Sequence, residues 1–175
     1  MAELLDELAE PRPVPAGGSA AALAAAMAAR LVSMAARSTT DWPSAAACSA
    51  QALTLSARLE PLALADAQAY AAALQALEDR DRDLGEALHR AAELPLAIAQ
   101  CAADVAELAA ETAESCAGHV RGEALAAVAL ARGAAEAAGR LVEINLASSA
   151  DDARSRHAAD LVRAARDAWE RTAGR

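Results

Sequence analysis

The chain reads as an all-α protein, a compact bundle of five or six helices, and three observations predict it. About a third of the 175 residues are Ala, the residue with the highest helix propensity. Strand formers are scarce, with no Phe and a single Tyr, and no segment carries a strand signal. Pro, Gly and Asp punctuate the sequence between apolar stretches of helical rather than strand length.

Each element follows from that punctuation. Residues 3–10 form a short amphipathic helix with Leu4, Leu5 and Leu8 on one side, ended by Pro11, Pro13 and Pro15. Pro13-Val-Pro-Ala-Gly-Gly-Ser19 then opens a second helix, from about 18 to 39, with Ser19 a natural N-cap. Asp41-Trp42-Pro43 signals the third helix, which runs to about Glu78 with Pro61 as a kink or break. The charge-dense hinge Glu78–Asp83 precedes a fourth helix over about 83–117, with Pro95 inside and Gly118 as its stop. A fifth helix spans about 121–148. A sixth spans about 151–173, with Ser149-Ala-Asp-Asp as cap and acidic first turn.

A chain of this length is a single domain over residues 1–175 and can close a real core. Small side chains require the helices to approach closely, and each buries little area. Part of the stability is therefore expected from a subunit interface.

Charge and composition exclude several classes. The net charge of -9 argues against a nucleic-acid partner, which would need a basic stripe, and every basic residue is Arg. The acidic N-terminus lacks the basic region of a leader. Residues 17–29 are uncharged but too short for a membrane span, and Arg30 and Arg37 interrupt their continuation. No membrane association and a cytoplasmic location follow as expectations. Cys48, Cys101 and Cys116 have neither metal-ligand spacing nor an even count, so they read as small buried residues. His89, His119 and His157 are isolated surface or helix-end residues. No metal site, no cofactor, no Ser-His-Asp set and no dinucleotide fingerprint is expected.

The remaining candidates for chemistry are few. Gly17 and Gly18 let backbone approach a ligand closely, and the free N–H groups of the following helix turn can receive an anionic or carbonyl oxygen. The same residues are equally compatible with a plain helix start. Asp66 is the only charge in an Ala/Leu run, and Tyr70, four residues on, shares its helix face. A carboxylate among apolar groups gains proton affinity suited to acid–base work, whereas on a polar face it would simply meet water. Glu123, in the first turn of the fifth helix, complements the helix dipole. Asn145, between Ile144 and Leu146, is either a tie between helices or a ligand contact.

Taken in order, these segments resemble the cyclodeaminase/cyclohydrolase family. That family includes the C-terminal domain of formiminotransferase-cyclodeaminase and methenyltetrahydrofolate cyclohydrolases of the same fold. The resemblance runs through Leu4-Leu-Asp-Glu-Leu-Ala, Pro13–Ser19 and Ser33–Thr39 to Asp66-Ala-Gln-Ala-Tyr70, Leu94-Pro95 and Val142–Leu146. It implies an all-helical homodimer with a folate site at or near the subunit interface. The implied reaction is closure of 5-formimino-tetrahydrofolate to 5,10-methenyl-tetrahydrofolate with loss of ammonia, or hydrolysis of the methenyl compound. A tetrahydrofolate derivative is then the small-molecule substrate, and carboxylate acid–base catalysis does the chemistry. By the same resemblance Ala16, Gly17, Gly18 and Ser19 form the substrate-binding loop, with Ala16 where relatives carry a glycine. Asp66 is the acid–base residue, and Glu123 falls where relatives have the Asp of a Ser-Asp pair. Tyr70, Asn145 and Arg37 complete the substrate contacts, and Leu141 stands in place of an Asn. The alternatives are a family member that binds folate or another small anion without turnover, and a self-assembling structural module.

Overall fold

A computed structural model of the chain describes residues 17–78, 91–147 and 152–173, together with Asp6, Leu8 and Ala9. Those three isolated residues are helical, and the rest of the expected first helix, like the hinge around 79–90, lies outside the described residues. Five α-helices build the described structure: α1 (Gly17–Arg37), α2 (Ala45–Glu78), α3 (Glu93–Ser115), α4 (Arg121–Asn145) and α5 (Ala153–Ala173). A 3-10 turn, Gly118–Val120, leads into α4, and no strand occurs among the described residues.

Three local expectations are corrected. Of the kink or break expected at Pro61, the break does not occur, and α2 continues through it; Pro61 is exposed, so the carbonyl that its missing N–H leaves free can face solvent. The expected fourth helix is interrupted by a turn at Ala92, and α3 runs from Glu93, which places Pro95 in its first turn, where an absent N–H costs no helical bond; residues 83–90 of that expected helix lie outside the described residues. Pro43 precedes α2 instead of entering its first turn, and the Ala45 N–H closes the lead-in on the Trp42 carbonyl at 3.0 Å. The cap of α5 is as expected in kind: Asp152 Oδ1 accepts the Arg154 N–H at 2.8 Å.

The helix α3 packs against each of the other four, while α2, α1, α4 and α5 follow one another around it. Its buried face is built largely of small residues, among them Ala99, Ala102, Ala106 and Ala109. On α1 the residues Ala22, Ala25, Ala28 and Ala29 are likewise buried. Alanine at these contacts lets the axes approach, and the few bulky core residues, Leu59, Ile98, Val105 and Val128 among them, fill what remains. The helix α1 is long and apolar enough to cross a membrane by length and composition alone, yet most of its residues are buried in the bundle.

Contact between α4 and α5 depends on one glycine. A Cβ at Gly139 would lie 2.6 Å from Val162 Cγ2, and a β-branched side chain has little freedom to retreat. Gly139→Ala is therefore expected to lower the thermal midpoint by about 2–4 °C, as a net cost near 1 kcal/mol would in a domain of this size. A rise in midpoint on calorimetry would mean that the two helices are not in this register.

Side-chain ties fix the two ends of the bundle. At one end the Ala117 N–H donates to Thr39 Oγ1 at 3.0 Å, and Cys48 Sγ meets Thr112 Oγ1 at 3.3 Å. The other end gathers the start of α1, the later turns of α2, the start of α3 and the end of α4. That convergence of three helix termini on the later turns of α2 creates the cavity described next.

Candidate functional site

The cavity has a volume of about 210 Å³. Gly17 and Gly18 of α1, Asp66 and Tyr70 of α2, Pro95 of α3 and Asn145 of α4 line it, with Ala91, Leu141 and Ile144 completing the wall. Asp66 is the only charged residue among these described wall residues.

Asp66 is 6 % exposed. Its carboxylate lies against the first turn of α1 and accepts the Ser19 backbone N–H. Burial raises its proton affinity above the ordinary carboxylate range, and the Ser19 bond opposes that shift without cancelling it. Of the two readings that the Ala/Leu run leaves open, burial is the one found: the carboxylate is in the cavity wall and not on a polar surface. Tyr70, one turn further along α2, lines the same space, as the four-residue spacing requires.

Asn145 makes the tie that its position left open, and it also lines the cavity. Its side chain reaches the Ala91 carbonyl at 3.1 Å, tying the end of α4 to the approach to α3. A carbonyl can only accept, so the amide presents its NH2 there. Sequence reasoning did not find Ala91, Leu141 and Ile144 as wall residues. Nothing marks an Ala beside a charged hinge, and Ile144 carries no signal beyond its neighbour Asn145.

Two expected site residues lie elsewhere within one chain. Arg37 ends α1 and Gly17 begins it, a separation of about 30 Å along the helix axis. Glu123 stands in the first turn of α4 while Asn145 ends that helix, about 33 Å away. Both belong to the far end of the bundle, where Ala35, Val120 and Ala124 form a small cluster of their own. One chain therefore brings neither Arg37 nor Glu123 to Asp66. Ala16 lies outside the described residues. Ser19 is buried beneath the cavity and not in its wall: its hydroxyl donates to the Ala63 carbonyl at 2.7 Å.

The cysteines and histidines keep their expected places where described. Cys48 and Cys101 are buried, Cys116 is half-buried, and His119 and His157 are exposed. His89 lies outside the described residues. No group of three or more His, Cys, Asp or Glu side chains converges among the described residues.

Residues 1–164 match the formiminotransferase-cyclodeaminase family. The chain belongs to that family. Its fold is that of a formiminotetrahydrofolate cyclodeaminase from Thermotoga maritima, with a TM-score of 0.88 at 22% identity. The likeness covers 98% of this chain and 92% of the Thermotoga chain. No curated protein sequence matches. For this cyclodeaminase-family chain the matched span contains every wall residue of the cavity.

Proposed function

We propose that the protein is a formimino-tetrahydrofolate cyclodeaminase, with Asp66 as its proton-transfer group. The observation that carries the reading is a buried carboxylate, the only charge among the described wall residues, where three helix termini meet the later turns of α2. Family membership and the cyclodeaminase activity for which the Thermotoga protein is named support the choice of a folate carrying a formimino group. A structural module would have this space filled with side chains.

The reaction requires one proton to leave and one to arrive. N10 of the substrate attacks the carbon of the protonated formimino group (N5–CH=NH2+), forming the second C–N bond and a tetrahedral centre that carries an NH2 group. The Asp66 carboxylate takes the N10 proton and then delivers it to the departing nitrogen. Breaking of that C–N bond releases ammonia, leaves the methenyl cation and returns Asp66 to its starting form. A carboxylate with raised proton affinity is suited to both halves, since it must be a base and then an acid. The apolar wall of Pro95, Leu141 and Ile144 excludes water that would otherwise hydrolyse the product. The chemistry proposed calls on no metal or redox group.

A cavity of about 210 Å³ is below the usual range for a whole ligand of about 300–1,000 Å³. It accommodates the reacting ring system, and the rest of the folate extends past Ile144, itself 60 % exposed. Met27 on α1, Leu64 on α2 and Leu130 on α4 also leave apolar surface uncovered on three mutually contacting or adjacent helices. We therefore propose a cytoplasmic homodimer in which a second copy covers that surface beside the cavity mouth.

The deciding assay follows methenyl-tetrahydrofolate absorbance after addition of formimino- or methenyl-tetrahydrofolate to purified protein. The expected result is absorbance growth from the formimino compound, with ammonia released one for one. Loss of absorbance from the methenyl compound alone would make the protein a cyclohydrolase. No change above the uncatalysed rate in either direction would leave a binding protein and overturn the enzyme reading.

A further inference from the structure

The Gly17-Gly18-Ser19 turn has two faces, and most of it addresses Asp66. A Cβ built on Gly18 would collide with the carboxyl carbon and both carboxylate oxygens of Asp66. The backbone N–H of Ser19 donates to that same carboxylate. The Ser19 hydroxyl is spent one turn away on α2, donating to the Ala63 carbonyl at 2.7 Å. Ala63 precedes Asp66 by three residues and lies on the same inward face of α2. By contrast, a Cβ at Gly17 would meet only Leu141 Cδ1, at an ordinary 3.9 Å.

We infer that Gly18 and Ser19 form a seat for the Asp66 carboxylate, acting as positioning residues, and that Gly17 alone keeps backbone open to the ligand. The seat works by subtraction at Gly18, where the missing side chain is the volume that the carboxylate occupies. At Ser19 it works by two bonds that lock α1 to α2 in one register: N–H to the carboxylate, O–H to the backbone one turn earlier. With that register fixed, the carboxylate has one orientation toward the cavity. Catalytic proton transfer is sensitive to displacements of this size, because the acceptor must stay within hydrogen-bond reach of the reacting nitrogen. The inference rests on the proposed role of Asp66 for its functional meaning, whereas the seat itself is a statement about packing.

Two measurements test the two parts separately. The first is a thermal cycle on Gly18→Ala, Asp66→Ala and the double variant. Alone, Gly18→Ala should lower the midpoint, because the new methyl displaces a buried carboxylate from its donor. In the Asp66→Ala background the space is free and Ala is the better helix former, so the same substitution should leave the midpoint unchanged or raise it. An equal decrease in both backgrounds would overturn the seat. This cycle reads packing only, and its outcome stands whether or not the protein turns over folate.

The second measurement is steady-state turnover of formimino-tetrahydrofolate by folded Gly18→Ala, Ser19→Ala and Ser19→Thr. A seat predicts that Gly18→Ala lowers kcat by about tenfold or more while KM stays within about threefold. Ser19→Ala should lower kcat in the same sense, and Ser19→Thr, which keeps the hydroxyl, should recover most of it. Raised KM with unchanged kcat in Gly18→Ala or Ser19→Ala would mark these residues as ligand contacts and overturn the inference. An inactive wild type would instead refute the proposed function.

Discussion

Replacing Asp66 with Asn should abolish turnover and leave the fold intact. The loss in kcat is expected to be about 10²–10⁴-fold, the range for removing a positioned acid–base group. Asn keeps the shape of Asp and can still accept the Ser19 N–H, so the α1–α2 contact has no reason to separate. Steady-state kinetics with circular dichroism checks both halves, and unchanged turnover would remove Asp66 from the mechanism.

The same variant carries a pH signature in stability. Asp66 has a proton affinity raised above its ordinary value of 3.8 because folding buries it. A group raised in this way holds its proton more tightly when folded than when unfolded. Its stabilising contribution is complete below 3.8 and is lost as pH rises from there through the raised folded value. Wild-type stability should therefore fall relative to Asp66→Asn across that window. Above it, the neutral Asn protein should have the higher midpoint. Denaturation series at several pH values measure the difference directly, and a constant difference across pH would contradict a desolvated carboxylate.

The largest effect on stability is expected from Leu59→Ala. Leu59 is among the few large side chains with no exposure in a core made mostly of Ala. It lies on α2 two turns before Asp66, on the inward face that continues through Ala63. Its truncation should cost about 2–5 kcal/mol, transfer and cavity terms together. A cost near 3 kcal/mol corresponds to a fall in thermal midpoint of about 6–12 °C for a domain of this length. Small neighbours cannot rotate to fill the hole, because Ala has no side-chain torsion with which to do so. Leu59→Met, which conserves volume, should cost less than about 1.5 kcal/mol. Equal effects from the two substitutions on calorimetry would show that volume is not what Leu59 contributes.

How much of the site was legible varies residue by residue. Asp66 and Tyr70 could be paired from sequence because a four-residue separation on one helix fixes their common face whatever surrounds it. Whether that face looked inward could not be read, since an isolated Asp suits either a cavity or a polar surface. Glu123 and Arg37 mark the opposite limit. Their sequence positions matched a family pattern, but the length of α1 and α4 carries them to the far end of the bundle from Asp66. The turn at Ala92 that precedes α3 was missed for a local reason: Pro95 is tolerated in a first turn and excluded from an interior, and the pattern before it did not separate those cases.

By itself, the sequence determined the helical class, most helix positions, the family, and the Gly-Gly-Ser, Asp66, Tyr70 and Asn145 candidates. These depend on local propensity, punctuation and spacing along one helix, all of which are properties of neighbouring residues. Only the tertiary structure decided what the Gly-Gly-Ser turn faces. The collision between a Gly18 Cβ and Asp66, 48 positions apart in the sequence, exists only once α1 and α2 are packed in register. The same packing buries Asp66 and brings Asn145 of α4 beside it. Burial and long-range contact are collective properties of the bundle, and no single helix carries them.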